Sequence, residues 1–433
     1  MTKVSVKNVS MENDTLTFSI EGEYKEGLDK SLINGIRRTL LNDIPSVAFN
    51  VNENNPKPDL IIETNKSSLH NEMIKERIAL IPLYIDPNTF YKSYLFHCSI
   101  KHDKKTPFIF VTANDINIYP LNDDLDRRVK DLMDDSIDTP DLEKEKLEEI
   151  LSTNNLENYK MDKPLSQKQK DAIFKPFVYK KQNNYCLILE LKNTNTEDVF
   201  QEITFYGSPS INTTKTHARY QSVSCATYNF KQNDQLIQST LQEQISLKKI
   251  EPDKIDDFTN KFMINESERY YHRDKDNEPY IFDFKIKSSH HLNSESLFIH
   301  SLQILNDKLN ILKEGLILLL QEKDSNIDLK QKNDYVYIYE LYDYDHTIGS
   351  ILQSHISRNC INDKSILQMC GYKKTHPLEE CVHLICSMNP NHKSFELDEK
   401  IKTQQITQFI IDEIINIQTI YQTLMKSCQK AFQ

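Results

Sequence analysis

Glycine is scarce in this chain of 433 residues, with seven in all. Loops that cradle phosphates depend on glycine, and no segment carries a P-loop or a dinucleotide-binding fingerprint. Tryptophan is absent. Long apolar runs are missing too: the longest, residues 316–320, is far short of the roughly 20 residues that span a bilayer. The N-terminus runs straight into polar alternation, so neither a signal peptide nor membrane attachment is expected. The eight cysteines (98, 186, 225, 360, 370, 381, 386 and 428) never fall at C-x-x-C spacing. Free thiols in a reducing compartment are therefore expected. Positive charge is also in deficit, at a net −11. That argues against non-specific attraction of the whole chain to nucleic acid or anionic membrane, and leaves a local basic surface open.

What is present is the composition of an ordinary soluble protein, 38% hydrophobic and 27% charged, long enough for two or three domains. Residues 3–24 alternate as a strand around Leu16-Thr-Phe-Ser-Ile. Residues 28–42 predict a helix with an apolar stripe of Leu32, Ile36 and Leu40, the adjacent pair Arg37 and Arg38, and Pro45 as a stop. Residues 67–80 predict a second short helix, capped by Ser67 or Ser68. Short strands follow over 95–119. Residues 121–172 are dense in Asp, Glu and Lys and read as an acidic helical surface insertion with no chemistry of its own. Strands resume at 185–191, 199–206 and near 223–230, then 231–275 is polar and 280–287 alternates again. Helix 294–322 sets Phe298, Leu302, Leu305, Leu309, Leu312, Leu316 and Leu319 on a heptad-like seam that needs a partner helix. Residues 321–333 read as a linker.

The pattern then begins again. A strand at 335–342 precedes a short helix opened by Asp345-His346-Thr347, carrying Ile348, Gly349 and Leu352, with Asp345 or Thr347 as its cap. Another strand lies at 382–388. Residues 403–430 form a final helix with Ile406, Ile410, Ile414, Ile417, Tyr421 and Leu424 on one face. Strand, short helix, strands and long amphipathic helix are thus traversed twice. Neither long helix can bury its stripe alone, so the two are expected to pair as a pseudo-dimer inside one chain.

Two sets of residues carry a family resemblance. The double arginine of the first helix, followed by Glu-x-x-x-x-Arg-x-x-Leu-Ile-Pro-Leu from Glu72 to Leu83 and by Lys215-Thr-His-Ala-Arg-Tyr, resembles the larger α-like subunit of multisubunit RNA polymerases. That is the third subunit in eukaryotes and its D-type counterpart in archaea. Asp345-His346-Thr347-Ile348-Gly349 and Gly371-Tyr372-Lys-Lys-Thr-His376-Pro377-Leu-Glu resemble the smaller partner, the eukaryotic eleventh subunit or its archaeal L-type counterpart. The resemblance implies an α+β fold of α-like dimerisation modules plus a β-rich insert domain. Residues 1–47 and 278–322 would form the larger-subunit module, 48–277 the insert, 323–333 the linker and 334–433 the smaller-subunit module. It also implies a non-catalytic assembly platform that docks the largest and second-largest polymerase subunits and small zinc-bearing subunits, meeting DNA and RNA only through the complex. Joined halves look like those of large nucleocytoplasmic DNA viruses. That would place the protein in the virion and host-cell cytoplasm; otherwise the nucleus is expected. A free-standing regulator that mimics the pair and sequesters polymerase subunits is the alternative.

By the same resemblance, Arg37, Arg38 and Asn34 are expected at a subunit interface, and Glu72 and Arg77 at a subunit or inter-domain contact, where arginine forks suit carboxylates and carbonyls. Neighbouring helical positions diverge by about 100°, so the two arginines should differ in role. Asp345-His346-Thr347 has the residue types of a catalytic triad, but a triad is defined in space rather than by adjacency; helix capping fits better, with His346 expected in the inter-module junction. Family members often carry a cysteine cluster for zinc or iron–sulfur. Here Cys98 with His97 and His102, and Cys381-Val-His383-Leu-Ile-Cys386, fall short of four convergent ligands, so no metal or other cofactor is expected. The Asp-rich stretches (Asp123-Asp124, Asp134-Asp135, Asp256-Asp257) read as solubilising charge rather than a two-metal site.

Overall fold

The computed structural model describes residues 4–12, 14–22, 28–52, 57–133, 141–152, 154–194, 199–289, 292–359 and 365–432. Asp134-Asp135 and Cys360 lie outside these. In chain order the elements begin with β1 (Ser5–Glu12), β2 (Thr15–Glu21), α1 (Lys30–Asn42), β3 (Ser46–Ala48), β4 (Leu60–Asn65) and α2 (Asn71–Ala79). Next come β5 (Tyr94–Lys101), β6 (Phe108–Thr112), β7 (Asn117–Pro120), α3 (Asp123–Met133), α4 (Asp141–Ser152) and α5 (Gln167–Ile173). Then follow β8 (Phe177–Tyr179), β9 (Gln182–Asn184), β10 (Leu187–Lys192), β11 (Glu202–Gly207), β12 (Ser210–Asn212), β13 (Val223–Phe230), α6 (Asp234–Leu247), α7 (Ile255–Asn265) and β14 (Ile281–Ser288). The chain closes with α8 (Ser294–Leu320), β15 (Ile327–Asn333), β16 (Val336–Tyr342), α9 (His346–Asn359), β17 (Leu367–Lys373), β18 (Cys381–Met388) and α10 (Glu399–Ala431).

Two compact units result. The first comprises Met1–Asp43, Val223–Ser288 and Asn293–Gln433, the second Ile44–Ser222 with Ser289–Leu292. The first unit holds two antiparallel sheets ordered β1-β2-β14-β13 and β15-β16-β18-β17. The topology is the same twice: a hairpin, a short helix, a second strand pair whose later strand lies beside the hairpin, and a long helix. Period-2 alternation drives each sheet's buried face. Leu16, Phe18 and Ile20 of β2 face Ile286, Phe284 and Phe282 of β14 in register, all at most 2% exposed. In the second sheet Tyr337, Tyr339 and Leu341 sit opposite Cys386, Leu384 and Val382.

The long helices α8 and α10 pack against each other. They run antiparallel, since Gln418 Nε2 donates to the Asn306 carbonyl at 3.3 Å and Lys400 meets Glu322 at 2.6 Å. Leu302, Leu305, Leu309 and Leu312 of α8, and Ile410, Ile414, Ile417 and Tyr421 of α10, are all at most 1% exposed. Each long helix also reaches the other half's sheet: α10 packs on β1 and α8 on β15. Phe432, just past α10, sets its ring edge-on to Phe18 at 5.5 Å.

The second unit is built on the antiparallel sheet β4-β11-β5-β7, with the ladders β10-β6 and β12-β3 and the hairpin β8-β9. Phe49, Leu60, Ile74, Ile78, Phe96, Cys98, Ile203 and Phe205 belong to its core.

Four expectations need correction. Residues 223–277 do not belong with the second unit, because β13 pairs along β14; the polar α6–α7 stretch between them hid that pairing. Residues 327–333 are a strand rather than linker. β15 is an edge strand whose side chains are mostly exposed, with Ile327 buried, so its apolar alternation is faint. The helix expected from residue 67 starts at Asn71 after His70. Ser67 instead donates through its backbone N–H and hydroxyl to Asn65 Oδ1, a local turn that competes with helix. The acidic insertion is more than a solvated surface. Leu125, Val129, Leu147, Leu151 and Tyr159 bury with Leu95, Tyr119 and Leu121 in a cluster of their own.

Candidate subunit interface

Helix α1 starts at Asp29, whose Oδ1 accepts from the Leu32 N–H at 2.9 Å and the Ser31 hydroxyl at 2.7 Å. Leu32, Ile36 and Leu40 are at most 1% exposed. They pack where α1 meets α8, α9 and β13. The contact with α9 is close because Gly35 has no side chain: a Cβ there would lie 2.7 Å from Ile351 Cδ1.

The two arginines do diverge. Arg37 Nε donates to Asn34 Oδ1 at 3.0 Å, one turn back on the same half-buried ridge. Arg38, expected at a surface for another subunit, has partners within this chain. Its Nε donates to Thr347 Oγ1 at 2.9 Å and its Nη2 to Asp345 Oδ2 at 3.5 Å. Of the two candidate caps for α9, Asp345 takes the role, accepting from the Thr347 N–H at 2.9 Å.

A reciprocal contact closes the other end. Asp29, the cap of α1, receives the Ser354 hydroxyl and Arg358 Nη2, the latter at 3.5 Å. Each antiparallel helix therefore sends an arginine to the capping aspartate of the other. Asp29, Ser354 and Arg358 escaped the sequence reading, although an aspartate immediately before an apolar helical stripe is a recognisable start signal. Further polar ties flank the pair. Lys308 of α8 meets Asp43 at 2.9 Å, and the buried His355 of α9 lies 3.3 Å from Glu413 of α10. Tyr421 is fully buried, which raises its pKa, and the charge of Asp29 adds to the rise.

His346 is exposed rather than enclosed at a junction, and stands edge-on to Tyr372 at 5.8 Å. Gly349 makes room for Tyr372, since a Cβ there would lie 2.6 Å from its ring. Ile348 and Leu352 are buried. Gly371 is half-buried, while His376 and Pro377 are exposed in a loop where Leu378 is 86% exposed.

In the second unit, Glu72 and Arg77 are exposed on α2. Arg77 Nη2 donates to the Leu187 carbonyl at 3.2 Å. The carboxylate tied down is Glu76, held by Arg219 Nη2 at 3.2 Å, while Arg219 Nη1 reaches the Phe49 carbonyl at 3.0 Å. Arg219 belongs to the Lys215–Tyr220 motif, and its buried fork pins α2 to the core. Around Arg77, Met73, Leu80, Leu187, Phe108 and Phe110 are all at least 45% exposed. They lie on neighbouring elements, since α2 packs on β10 and β10 pairs with β6, and exposed apolar side chains of this kind are what protein partners cover.

The metal leads do not converge. Cys98 points into the core and burial pushes its thiol to about 12, whereas His97 is half-buried beside Tyr119, with its pKa lowered mainly by burial. His102 Nδ1 is occupied by the Lys104 N–H. Cys386 lies opposite Cys370, while His383 Nε2 is 3.5 Å from Glu340. Among the described residues no three His, Cys, Asp or Glu side chains group as a metal site, and no helix is long and apolar enough to cross a membrane.

The sequence family described as the RNA polymerase Rpb3/Rpb11 dimerisation domain matches residues 24–309, ending within α8. A curated relative, the DNA-directed RNA polymerases I and III subunit RPAC1 of Mus musculus, is 30% identical over 82 residues. That stretch covers 19% of this chain and 20% of the mouse protein, so the chain spans about a fifth of that relative's length. With the family match extending over more than half of its residues, the chain belongs to the Rpb3/Rpb11 dimerisation-domain family of α-like RNA polymerase subunits.

Proposed function

We propose that the chain is a non-catalytic assembly platform of a DNA-directed RNA polymerase, with a larger- and a smaller-subunit-like half joined in one polypeptide. The observation that carries this reading is the repeated topology of the first unit. Two sheets of identical strand order each own a short and a long helix, and the helices pair short with short and long with long. This repeat supports a dimer with pseudo-twofold symmetry inside one chain. Residues up to Leu320 supply the larger half, with Ile44–Ser222 as its insert, and Ile327 onward the smaller half. Joining the halves makes their association intramolecular, at an effective concentration of order millimolar for a short connection. It fixes one-to-one stoichiometry and disfavours exchange with a host's own α-like subunits. The joined form supports a viral source, and with it a place in the virion and host-cell cytoplasm.

The largest and second-largest subunits and small zinc-bearing subunits are the proposed partners. The Asn34–Arg37 ridge, and Glu72 and Arg77 with the exposed apolar side chains around them, are the proposed docking faces; the polymerase active site lies in the partners. Affinity purification of the tagged chain from cells producing the enzyme tests this. Recovery of both largest subunits in stoichiometric amount, with RNA synthesis activity, is expected. Recovery of neither overturns it, and recovery of inactive, substoichiometric large subunits points instead to a sequestering regulator. Replacing Arg37 and Arg77 by alanine should weaken co-purification without unfolding the chain.

A further inference from the structure

The acidic chain contains one strongly basic stretch. Residues 163–181 carry six lysines (163, 168, 170, 175, 180 and 181) against a single carboxylate, Asp171. Lys170 is buried; the other five are exposed. None of the five forms an ion pair among the described residues. Asp171 is occupied by the Tyr185 hydroxyl and Gln167 Nε2, both at 2.7 Å. The stretch ends in the β8–β9 hairpin, where Phe177, Val178 and Tyr179 are 58%, 71% and 62% exposed. Its two-residue turn is Lys180-Lys181, both at positive φ (49° and 64°). Asn-Gly is the favoured choice for such a turn, yet two cations sit at the tip.

We infer that this hairpin and its lysines form a binding site for single-stranded nucleic acid. Phe177 and Tyr179 pair with Asn184 and Gln182 on the other strand, so their side chains leave the same face of the hairpin, with Cα atoms roughly 6.8 Å apart. That is a stacking platform for bases, and the flanking lysines meet phosphates as point charges. Lys175 already lies over the Tyr84 ring at 5.6 Å and Lys180 over Tyr179 at 5.3 Å, which interleaves cations with aromatic faces. A polycarboxylate chain has no bases to stack on the two rings, whereas single-stranded nucleic acid offers phosphates to the lysines and bases to the rings. The contact is direct, unlike the indirect one expected from the family resemblance, and it stands whether or not the assembly role holds.

Anisotropy titration of the full-length chain with a labelled oligothymidylate and oligouridylate of about 20 nucleotides, across a salt series, tests the site. Binding at low salt is expected. Lys175→Glu/Lys180→Glu/Lys181→Glu should weaken it at least tenfold and flatten the log K against log salt slope by about 2, because each phosphate contact contributes about 0.7 on single strands. Phe177→Ala/Tyr179→Ala should weaken it about tenfold and leave the slope unchanged. All five positions are exposed, so circular dichroism should match the parent. Absence of binding by the parent chain, or binding indifferent to both variants, overturns the inference. So does binding that polyglutamate competes away equally and the aromatic variant leaves untouched, which would assign the hairpin to an acidic protein partner.

Discussion

Arg37 and Arg38 share a helix turn and diverge in role, whereas Arg38 and Arg358 share a role and differ in burial. Arg358 and Asp29 are 9% and 3% exposed at their side chains; Arg38 and Asp345 are 32% and 26% exposed. Removing one member of a buried pair leaves the other's charge without its counter-ion, at about 3–5 kcal/mol, whereas a half-exposed pair is worth about 0–1 kcal/mol. Arg358→Ala should therefore cost about 3 kcal/mol or more in denaturant unfolding and Arg38→Ala about 1 kcal/mol or less. High salt should narrow the deficit of the second and not of the first. Equal costs for the two would mean the Asp29 end is as well hydrated as the other. These pairings span some 300 residues of sequence, so no local pattern announced them. Only the arginine pair and the Asp345 cap were legible beforehand, because capping and helical divergence are local properties.

Among the elements, the helical stripes were legible and the sheets were not. Leu32, Ile36 and Leu40, and the seams of α8 and α10, declare themselves by spacing, since a helix shows its buried face every three or four residues. Strand neighbours do not. β14 lies between β2 and β13, an arrangement that depends on register over more than 200 residues and is masked by the polar α6–α7 excursion. That α1 partners the helix opened by Asp345 follows from the repeat, but how tightly the two approach was not legible, because it depends on what Gly35 lacks. Gly35→Ala gains up to about 1 kcal/mol of helix propensity but sets a methyl against the flexible end of Ile351, and should be near neutral. Gly35→Leu should destabilise by about 1–3 kcal/mol through overpacking. Ile351→Ala in the same chain should recover part of that loss, as read by thermal unfolding. A Leu variant as stable as the parent would show that the two helices can separate freely.

For the whole molecule, the proposed joining of two subunit-like halves bears on stability as well as stoichiometry. Residues 323–326 lie between α8 and β15, and Lys323, Asp324 and Asn326 are exposed, so a protease site placed there should be cut without disturbing either long helix. Before cutting, α8 and α10 are tethered and the melting temperature should not depend on protein concentration. After cutting, residues 1–323 and the C-terminal half should stay together through the α8–α10 and α1–α9 contacts, but as two molecules obeying mass action. Each tenfold dilution then removes about 1.4 kcal/mol of apparent stability, a fall of roughly 3–6 °C for a unit of this size. Co-elution of the fragments with a concentration-dependent melt is the expected result. Immediate dissociation at micromolar concentration would mean the tether, and not the paired helices, holds the halves together. A melt that ignores dilution would mean the halves fold separately, and the repeated topology would then describe two neighbours rather than a dimer built into one chain.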